Sequence, residues 1–94
     1  MYLPLGDNYI IPTKDLIGIF DLDVVTVSTA GRTYLQQAER NGNLISVSDN
    51  LPKSFVVCGD RSDFRVYISP ISASTLVKRL SRTYLSGMDS LTEA

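Results

Sequence analysis

Short β-prone runs separated by turn residues dominate the chain and constrain its fold more than any other feature. Six runs are rich in β-branched and aromatic residues: 2–5, 9–11, 16–22, 44–47, 54–58 and 65–69. Gly6, Asp7 and Asn8 separate the first two runs, and they predict a tight hairpin because Gly and Asn tolerate positive φ. The run 16–22 is almost continuously apolar, which is typical of a central strand.

Two other stretches have helical periodicity. Ser28 or Thr29 can cap a helix that runs to Asn41, and Gly42 supplies the left-handed residue that commonly ends a helix. Ser72 can cap a second helix, closed by Gly87, whose apolar positions are expected to be buried. These positions are Ala73, Leu76, Val77, Leu80 and Tyr84. The predicted class is therefore α+β, a small mixed sheet of about five short strands with two helices.

The length of the chain limits what this fold can enclose. Ninety-four residues form one compact domain, which can hold a modest core but not a core together with a deep substrate cavity. Hydrophobic residues make up 44% of the chain and charged residues 20%, which is the balance of a globular protein. We expect a single domain over residues 1–87 and a flexible C-terminal tail over residues 88–94.

The opening of the chain and its cysteine content both indicate a cytoplasmic protein. The first residues lack a basic segment and a small-residue cleavage site, and no run approaches the ~20 apolar residues of a membrane span. Cys58 is the single cysteine, so it cannot form an internal disulfide. Its apolar surroundings in the sequence predict a small buried hydrophobe without a redox or catalytic role.

The available side chains leave little room for catalysis. There is no histidine, which removes the commonest general base and the commonest transition-metal ligand. Cys58 alone provides neither a paired nucleophile nor a zinc site, and the isolated glycines form no phosphate loop. Asp21 and Asp23 could form a paired-carboxylate site, but solvated turn residues are the favoured interpretation. We expect no enzyme activity, no metal, no cofactor and no small-molecule substrate.

Positive charge is concentrated in one region of the chain. Residues 48–87 carry six basic and three acidic groups, a net charge of +3, whereas the whole chain has a net charge of −1. The basic residues of this region are candidate nucleic-acid contacts: Lys53, Arg61, Arg65, Lys78, Arg79 and Arg82. The last three lie on the second predicted helix, where a solvated helix face is an equally good explanation because cations near the end of a helix complement its dipole.

Four motifs along the chain follow the pattern of one known family. They are residues 1–7 (MYLPLGD), 13–21 (TKDLIGIFD), 52–57 (PKSFVV) and 67–79 (YISPISASTLVKR). With these motifs in this order, residues 1–82 resemble the RemA/RemB family of bacterial extracellular matrix regulatory proteins, and its RemB branch in particular.

The resemblance implies a small bacterial regulator that forms ring-shaped homo-oligomers. RemA members of the family bind duplex DNA and activate genes for biofilm matrix production. In that branch, DNA contact is associated with an arginine-rich turn that leads into a strand. The turn over residues 49–53 has Lys53 as its single cation. Because each lost phosphate contact removes attraction and counterion release, we expect DNA binding to be weak per subunit.

Two functions remain open at this point. In the first, a ring of subunits repeats Lys53 and the helix cations around a rim, so that a weak patch becomes a multivalent DNA-binding surface. In the second, the domain has lost DNA contact and is a self-assembling protein-interaction module, with Lys78 and Arg79 serving an interface between subunits or a cap. The family resemblance favours the first.

Overall fold

The computed structural model describes residues 1–59 and 63–82, which form six strands and three α-helices. The strands are β1 Tyr2–Gly6, β2 Tyr9–Pro12, β3 Leu16–Asp21, β4 Leu44–Ser46, β5 Ser54–Gly59 and β6 Phe64–Ser69. The helices are α1 Leu22–Val25, α2 Thr29–Arg40 and α3 over residues 73–82, and a 3-10 turn spans Thr13–Asp15. The predicted α+β class is confirmed. Arg61, Tyr84, Gly87 and the predicted tail lie outside the described residues.

The strands form two sheets rather than the single sheet that was predicted. β1 and β2 pair as an antiparallel hairpin, and the other four strands form a mixed sheet in the order β3-β5-β6-β4. β5 is antiparallel to both β3 and β6, whereas β4 and β6 are parallel. The strands on either side of the turn 49–52 are not neighbours, because β6 lies between them.

β3 lies at an edge of the four-stranded sheet, whereas its apolar sequence predicted a central strand. The central place belongs to β5, in which residues 54–58 are all buried. In β3, Ile17 and Phe20 are 54% and 40% exposed. A short apolar run predicts a strand, but it does not say how many neighbouring strands will cover it.

Successive residues of β5 face two separate hydrophobic clusters, because side chains alternate between the two faces of a strand. Val56 and Cys58 pack beneath the hairpin and α3. The buried members of this cluster are Leu3, Leu5, Ile11, Val47, Val56, Cys58, Tyr67 and Leu76. Phe55 and Val57 pack on the opposite face, in a cluster that includes Val66 of β6 and Ala38 of α2. The first face of the sheet is therefore covered by the hairpin and α3, and the second is covered in part by α2.

Two buried serines join the sheet to the layer formed by the hairpin and α3. Ser69 donates its hydroxyl to the carbonyl oxygen of Leu5 at 2.6 Å and accepts from the amide of Ile71 at 3.1 Å. Ser54 donates to the carbonyl oxygen of Ile71 at 2.7 Å. Both side chains are fully buried, so these bonds satisfy polar groups that would otherwise be costly to remove from water.

The first predicted long helix is confirmed by α2 and its ends. Ser28 accepts a hydrogen bond from the amide of Gly31 at 3.0 Å, and Gly42 adopts a φ of 73° after the last turn. The predicted start of the second helix is also found, since Ser72 accepts from the amide of Thr75 at 3.3 Å. Within residues 1–59 and 63–82, no helix has the length and apolar character needed to cross a membrane.

Only part of the predicted apolar face of α3 is buried. Leu76 is fully buried and Leu80 is half-buried, whereas Val77 is 48% exposed. The prediction that Val77 is buried is therefore wrong. Adjacent residues on a helix are about 100° apart, so Leu76 can point into the cluster while Val77 lies at the margin of the contact.

We expect Leu76→Ala to lower the free energy of unfolding by about 3 kcal/mol, because it removes a fully buried side chain where α3 packs on the first cluster. Val77→Ala is the matched control, with an expected loss of less than about 1 kcal/mol. Chemical denaturation at one protein concentration, followed by circular dichroism, measures both values. Equal losses would contradict this packing of α3.

Candidate nucleic-acid interface

Lys53 extends from a fixed piece of backbone at the start of β5. Its amide N–H donates to the carbonyl oxygen of Ser69 at 2.9 Å, and its carbonyl oxygen accepts from the amide of Leu22 at 3.1 Å. The residue is exposed and follows Pro52, whose ring restricts the backbone. The ammonium group can therefore reach a phosphate while β6 and the start of α1 hold the main chain in place.

Two aspartates lie close to Lys53 across the sheet. The bond between Leu22 and Lys53 places the lysine beside the segment that contains Asp21 and Asp23. Both aspartates are exposed, and Asp21 caps α1 by accepting from the amides of Asp23 at 2.9 Å and Val24 at 3.3 Å. This capping agrees with the turn-residue interpretation of the pair. The acidic groups lie far from Lys53 along the chain, so local sequence spacing around the lysine gave no sign of them.

Arg65 is held within the protein by a neighbouring carboxylate. Its Nη2 lies 3.8 Å from Oδ2 of Asp15, and its Nη1 is 3.5 Å from the hydroxyl of Tyr67. It pairs across the sheet with Cys58, near the end of β5 opposite Lys53. Cys58 is five positions after Lys53, so Lys53 and Arg65 start about 17 Å apart along the sheet. The ion pair with Asp15 weakens Arg65 as a phosphate contact.

The cations of α3 divide into two groups. Lys78 and Arg82 are exposed and lie one turn apart on the helix. Arg79 is half-buried, and its Nη1 donates to the carbonyl oxygen of Pro4 at 3.3 Å. Arg79 therefore fastens α3 to the hairpin, whereas Lys78 and Arg82 leave their charges in solvent.

An open apolar groove of about 480 Å³ lies on the face of the sheet that α2 covers in part. The lining residues come from β3, β5, β6, α1, α2 and the segment joining α1 to α2: Ile17, Phe20, Val25, Ser28, Ala30, Gly31, Tyr34, Phe55, Val57 and Phe64. The ring of Phe20 stacks on Phe55 with 4.9 Å between centroids. At Gly31 a Cβ atom would lie 2.2 Å from the carbonyl oxygen of Val25, so glycine is required for this close approach of α2 to α1.

The groove was not predicted from the sequence. A β-bulge at Ile17 shifts the register between β3 and β5, so that Ile17 lines the same groove as Phe20 three residues later. Regular alternation along a strand would place residues 17 and 20 on opposite faces. The apolar residues of β3 alone do not indicate an exposed surface. That inference also requires the bulge at Ile17 and the edge position of β3, which the sequence does not show.

One curated relative of this chain identifies its family. It is 34% identical over 79 residues, which cover 84% of this chain and 89% of the relative. The relative is "Extracellular matrix regulatory protein B" of Bacillus subtilis (strain 168). The chain belongs to the RemA/RemB family. No family model matches the sequence.

In this RemA/RemB protein, the predicted contact residues that the structure describes do not form one continuous patch. Lys53 and Arg65 lie towards opposite ends of β5, and the cations of α3 lie on a separate helix. Lys53, Lys78 and Arg82 have exposed side chains, whereas Arg65 and Arg79 make contacts within the fold. Among the described residues, no group of three or more His, Cys, Asp or Glu could hold a metal ion.

Cys58 is a buried thiol in this RemA/RemB fold. It is fully buried in the cluster beneath the hairpin. Burial raises the pKa of the thiol to about 11, while the positive charge of Arg65 lowers it and the negative charge of Asp15 raises it. Because the thiolate is the nucleophilic form, the side chain stays protonated and unreactive at neutral pH.

We expect the stability of the protein to fall between pH 9 and 11 through Cys58. The pKa of the thiol is higher in the folded protein than in the unfolded chain, so the folded state binds the thiol proton more tightly. This contribution to the free energy of unfolding is fully present below pH 9 and is lost as the pH rises towards 11. Cys58→Ala should lose this part of the pH dependence. Denaturation of both proteins across this range isolates the difference. Rapid thiol labelling of the native protein at neutral pH would contradict the burial of Cys58.

Proposed function

We propose that this chain regulates the production of extracellular matrix in the bacterial cytoplasm by binding duplex DNA as a ring-shaped homo-oligomer. It acts by binding and not by catalysis. The printed name of the Bacillus subtilis relative supports the matrix-regulating role. The RemA/RemB resemblance supports DNA binding and assembly, because it implies rings of subunits that contact DNA.

The observation that carries the DNA-binding part is the position of Lys53. It is an exposed cation whose backbone is hydrogen-bonded to β6 on one side and to the start of α1 on the other. A lysine offers a point charge rather than the planar fork with which arginine reads guanine. Contact through Lys53 is therefore largely independent of base sequence and falls steeply with salt.

Assembly supplies the charge that one copy lacks. The whole chain has a net charge of −1, and Asp21 and Asp23 lie beside Lys53. A single copy therefore attracts DNA weakly. In a ring, each copy adds one Lys53 and the exposed cations of α3, so a strand of phosphates meets several sites held in fixed positions.

The apolar groove favours a second candidate function, a self-assembling module that acts through protein partners. The groove exposes Ile17, Phe20 and Phe64, and none of the described residues that line it is charged. Surfaces of this kind commonly bind protein. In this alternative, Lys78 and Arg79 contribute to contacts between subunits or with a partner, and DNA is not bound.

We expect Lys53→Glu to weaken binding to duplex DNA and to lower the slope of log affinity against log salt by about one for each subunit that contacts the DNA. The charge reversal is repeated in every copy, so its effect grows with the number of subunits. Titration of fluorescent duplex DNA at several salt concentrations measures the slope. Light scattering establishes that the variant keeps the mass of the wild type.

Arg40→Glu is the matched control for Lys53→Glu. It makes the same change of charge at an exposed position on α2, outside the predicted contact residues. We expect its salt slope to remain that of the wild type. A wild type that binds no duplex DNA at low salt supports the protein-partner function instead. An assembled Lys53→Glu variant with an unchanged slope would exclude Lys53 as the contact.

We expect the wild type to be a homo-oligomer, with a mass that is a multiple of the 10.4 kDa chain. The outer edges of β3 and β4 bound the described four-stranded sheet, and uncovered strand edges favour pairing between copies. Multi-angle light scattering at micromolar concentration measures the mass. A monodisperse monomer would contradict the assembly on which the proposed function depends.

A further inference from the structure

We propose that the outer edge of β3 and the apolar groove beside it form a twofold interface with a second copy of this chain. In this interface the two β3 strands pair antiparallel, and the apolar grooves of the two copies adjoin along the new strand pair. The inference rests on the assembly part of the proposed function and identifies one of the surfaces that mediate it, because a twofold interface joins two copies and a ring of such pairs also needs a second interface.

The edge of β3 lacks most of the features that usually prevent strands from pairing, and its β-bulge at Ile17 interrupts the strand near one end only. It is six residues long, and it contains no proline and no lysine. Its outer side is the boundary of the described four-stranded sheet. A long apolar edge presents backbone donors and acceptors that another strand can satisfy. The opposite boundary, β4, is only three residues long and offers fewer hydrogen bonds.

The groove extends this edge into a broader apolar surface. Ile17, Phe20 and Phe64 are 54%, 40% and 44% exposed, and Ser28 and Tyr34 are the polar members of the lining. A surface without charge does not attract nucleic acid, whose binding is dominated by phosphate contacts. The apolar side chains of the groove would instead be buried favourably against another apolar surface. A second copy carries such a surface on the same strand.

The charges at the two ends of β3 are complementary when two strands run antiparallel. Lys14 lies before the strand, and Asp21 and Asp23 lie at its end. Asp15, beside Lys14, has Arg65 as a partner at 3.8 Å. Antiparallel pairing brings the basic start of each strand towards the acidic end of the other, twice in each interface. Parallel pairing would bring the acidic ends together, which is unfavourable.

The same arrangement aligns the apolar side chains. Strands that pair antiparallel about a twofold axis perpendicular to the sheet keep the same faces of the two sheets on one side. The two grooves then adjoin, so Ile17 and Phe20 of each copy lie next to those of the other. Two four-stranded sheets become one sheet of eight strands, and the outer edge of β3 is covered.

The first test compares Ile17→Lys with Val77→Lys by light scattering and analytical ultracentrifugation. Ile17 lies in the proposed interface, whereas Val77 has similar exposure on α3, beyond the opposite face of the sheet. We expect the wild type and Val77→Lys to share a mass that is an even multiple of 10.4 kDa. We expect the mass of Ile17→Lys to fall at least twofold, while circular dichroism shows that it remains folded.

The second test uses the charges and leaves the groove unchanged. Lys14→Glu and Asp23→Lys each create like-charge contacts in a homodimer, and each should raise the dissociation constant roughly tenfold. In an equal mixture of the two variants, each mixed pair brings the two substituted side chains, which have opposite charges, together at one end of the interface. At the other end, the unchanged Lys14 of one copy meets the unchanged Asp23 of its partner. Mixing is therefore expected to restore assembly to the affinity of the wild type.

Three outcomes would overturn the proposed interface. A monomeric wild type would remove the second copy. An Ile17→Lys variant that keeps the mass of the wild type would place assembly on another surface, and DNA titration of that variant would show separately whether the proposed function survives. A monomer in which deletion of residues 83–94 shifts the NMR signals of Phe20 and Tyr34 would assign the groove to the chain's own C-terminal segment.

Discussion

The fold depends on burying both faces of β5 at once. Residues 54–58 are buried in succession, so a layer is needed on each side of this strand. The hairpin and α3 supply one layer, and α2 supplies part of the other. Ser54 is the one polar side chain in that buried stretch, apart from the thiol of Cys58, and its bond to the carbonyl oxygen of Ile71 ties the strand to the segment entering α3. The sheet order, the place of α3 and the uncovered groove all follow from how these layers meet β5.

Local signals in the sequence predicted the elements whose ends depend on nearby residues. The hairpin was predicted because Gly and Asn tolerate positive φ. Gly6 adopts a φ of 119°, but the second positive φ, 44°, is that of Asp7 and not of Asn8. The start and end of α2 depended on Ser28 and Gly42, which act as predicted. These features are determined within one or two turns of chain, so one sequence is sufficient to predict them.

The sequence could not predict relations that arise only when distant segments meet. The edge position of β3 depends on β5 having β6 as its second neighbour, and no residue of β3 encodes that choice. Arg79 and Arg65 were candidate DNA contacts, yet Pro4 and Asp15 engage them across long stretches of chain. Likewise, the acidic residues near Lys53 come from another part of the chain. The candidate site was therefore predicted as a set of cations, without their partners or their separation.

The proposed pairing through β3 also bears on the electrostatics around Lys53. The start of α1 holds Asp21 and Asp23 beside this lysine, and within one copy their negative charge opposes the approach of phosphate. In the twofold pair, Lys14 of the partner approaches the same two carboxylates and offsets part of their charge. Assembly then makes the potential at Lys53 more favourable for DNA, in addition to increasing the number of lysines. If DNA binds the pair more tightly than the single copy, thermodynamic linkage requires that bound DNA also strengthens the pairing of β3 with β3. The gain in DNA affinity on pairing and the gain in pairing affinity on DNA binding are therefore the same coupling free energy.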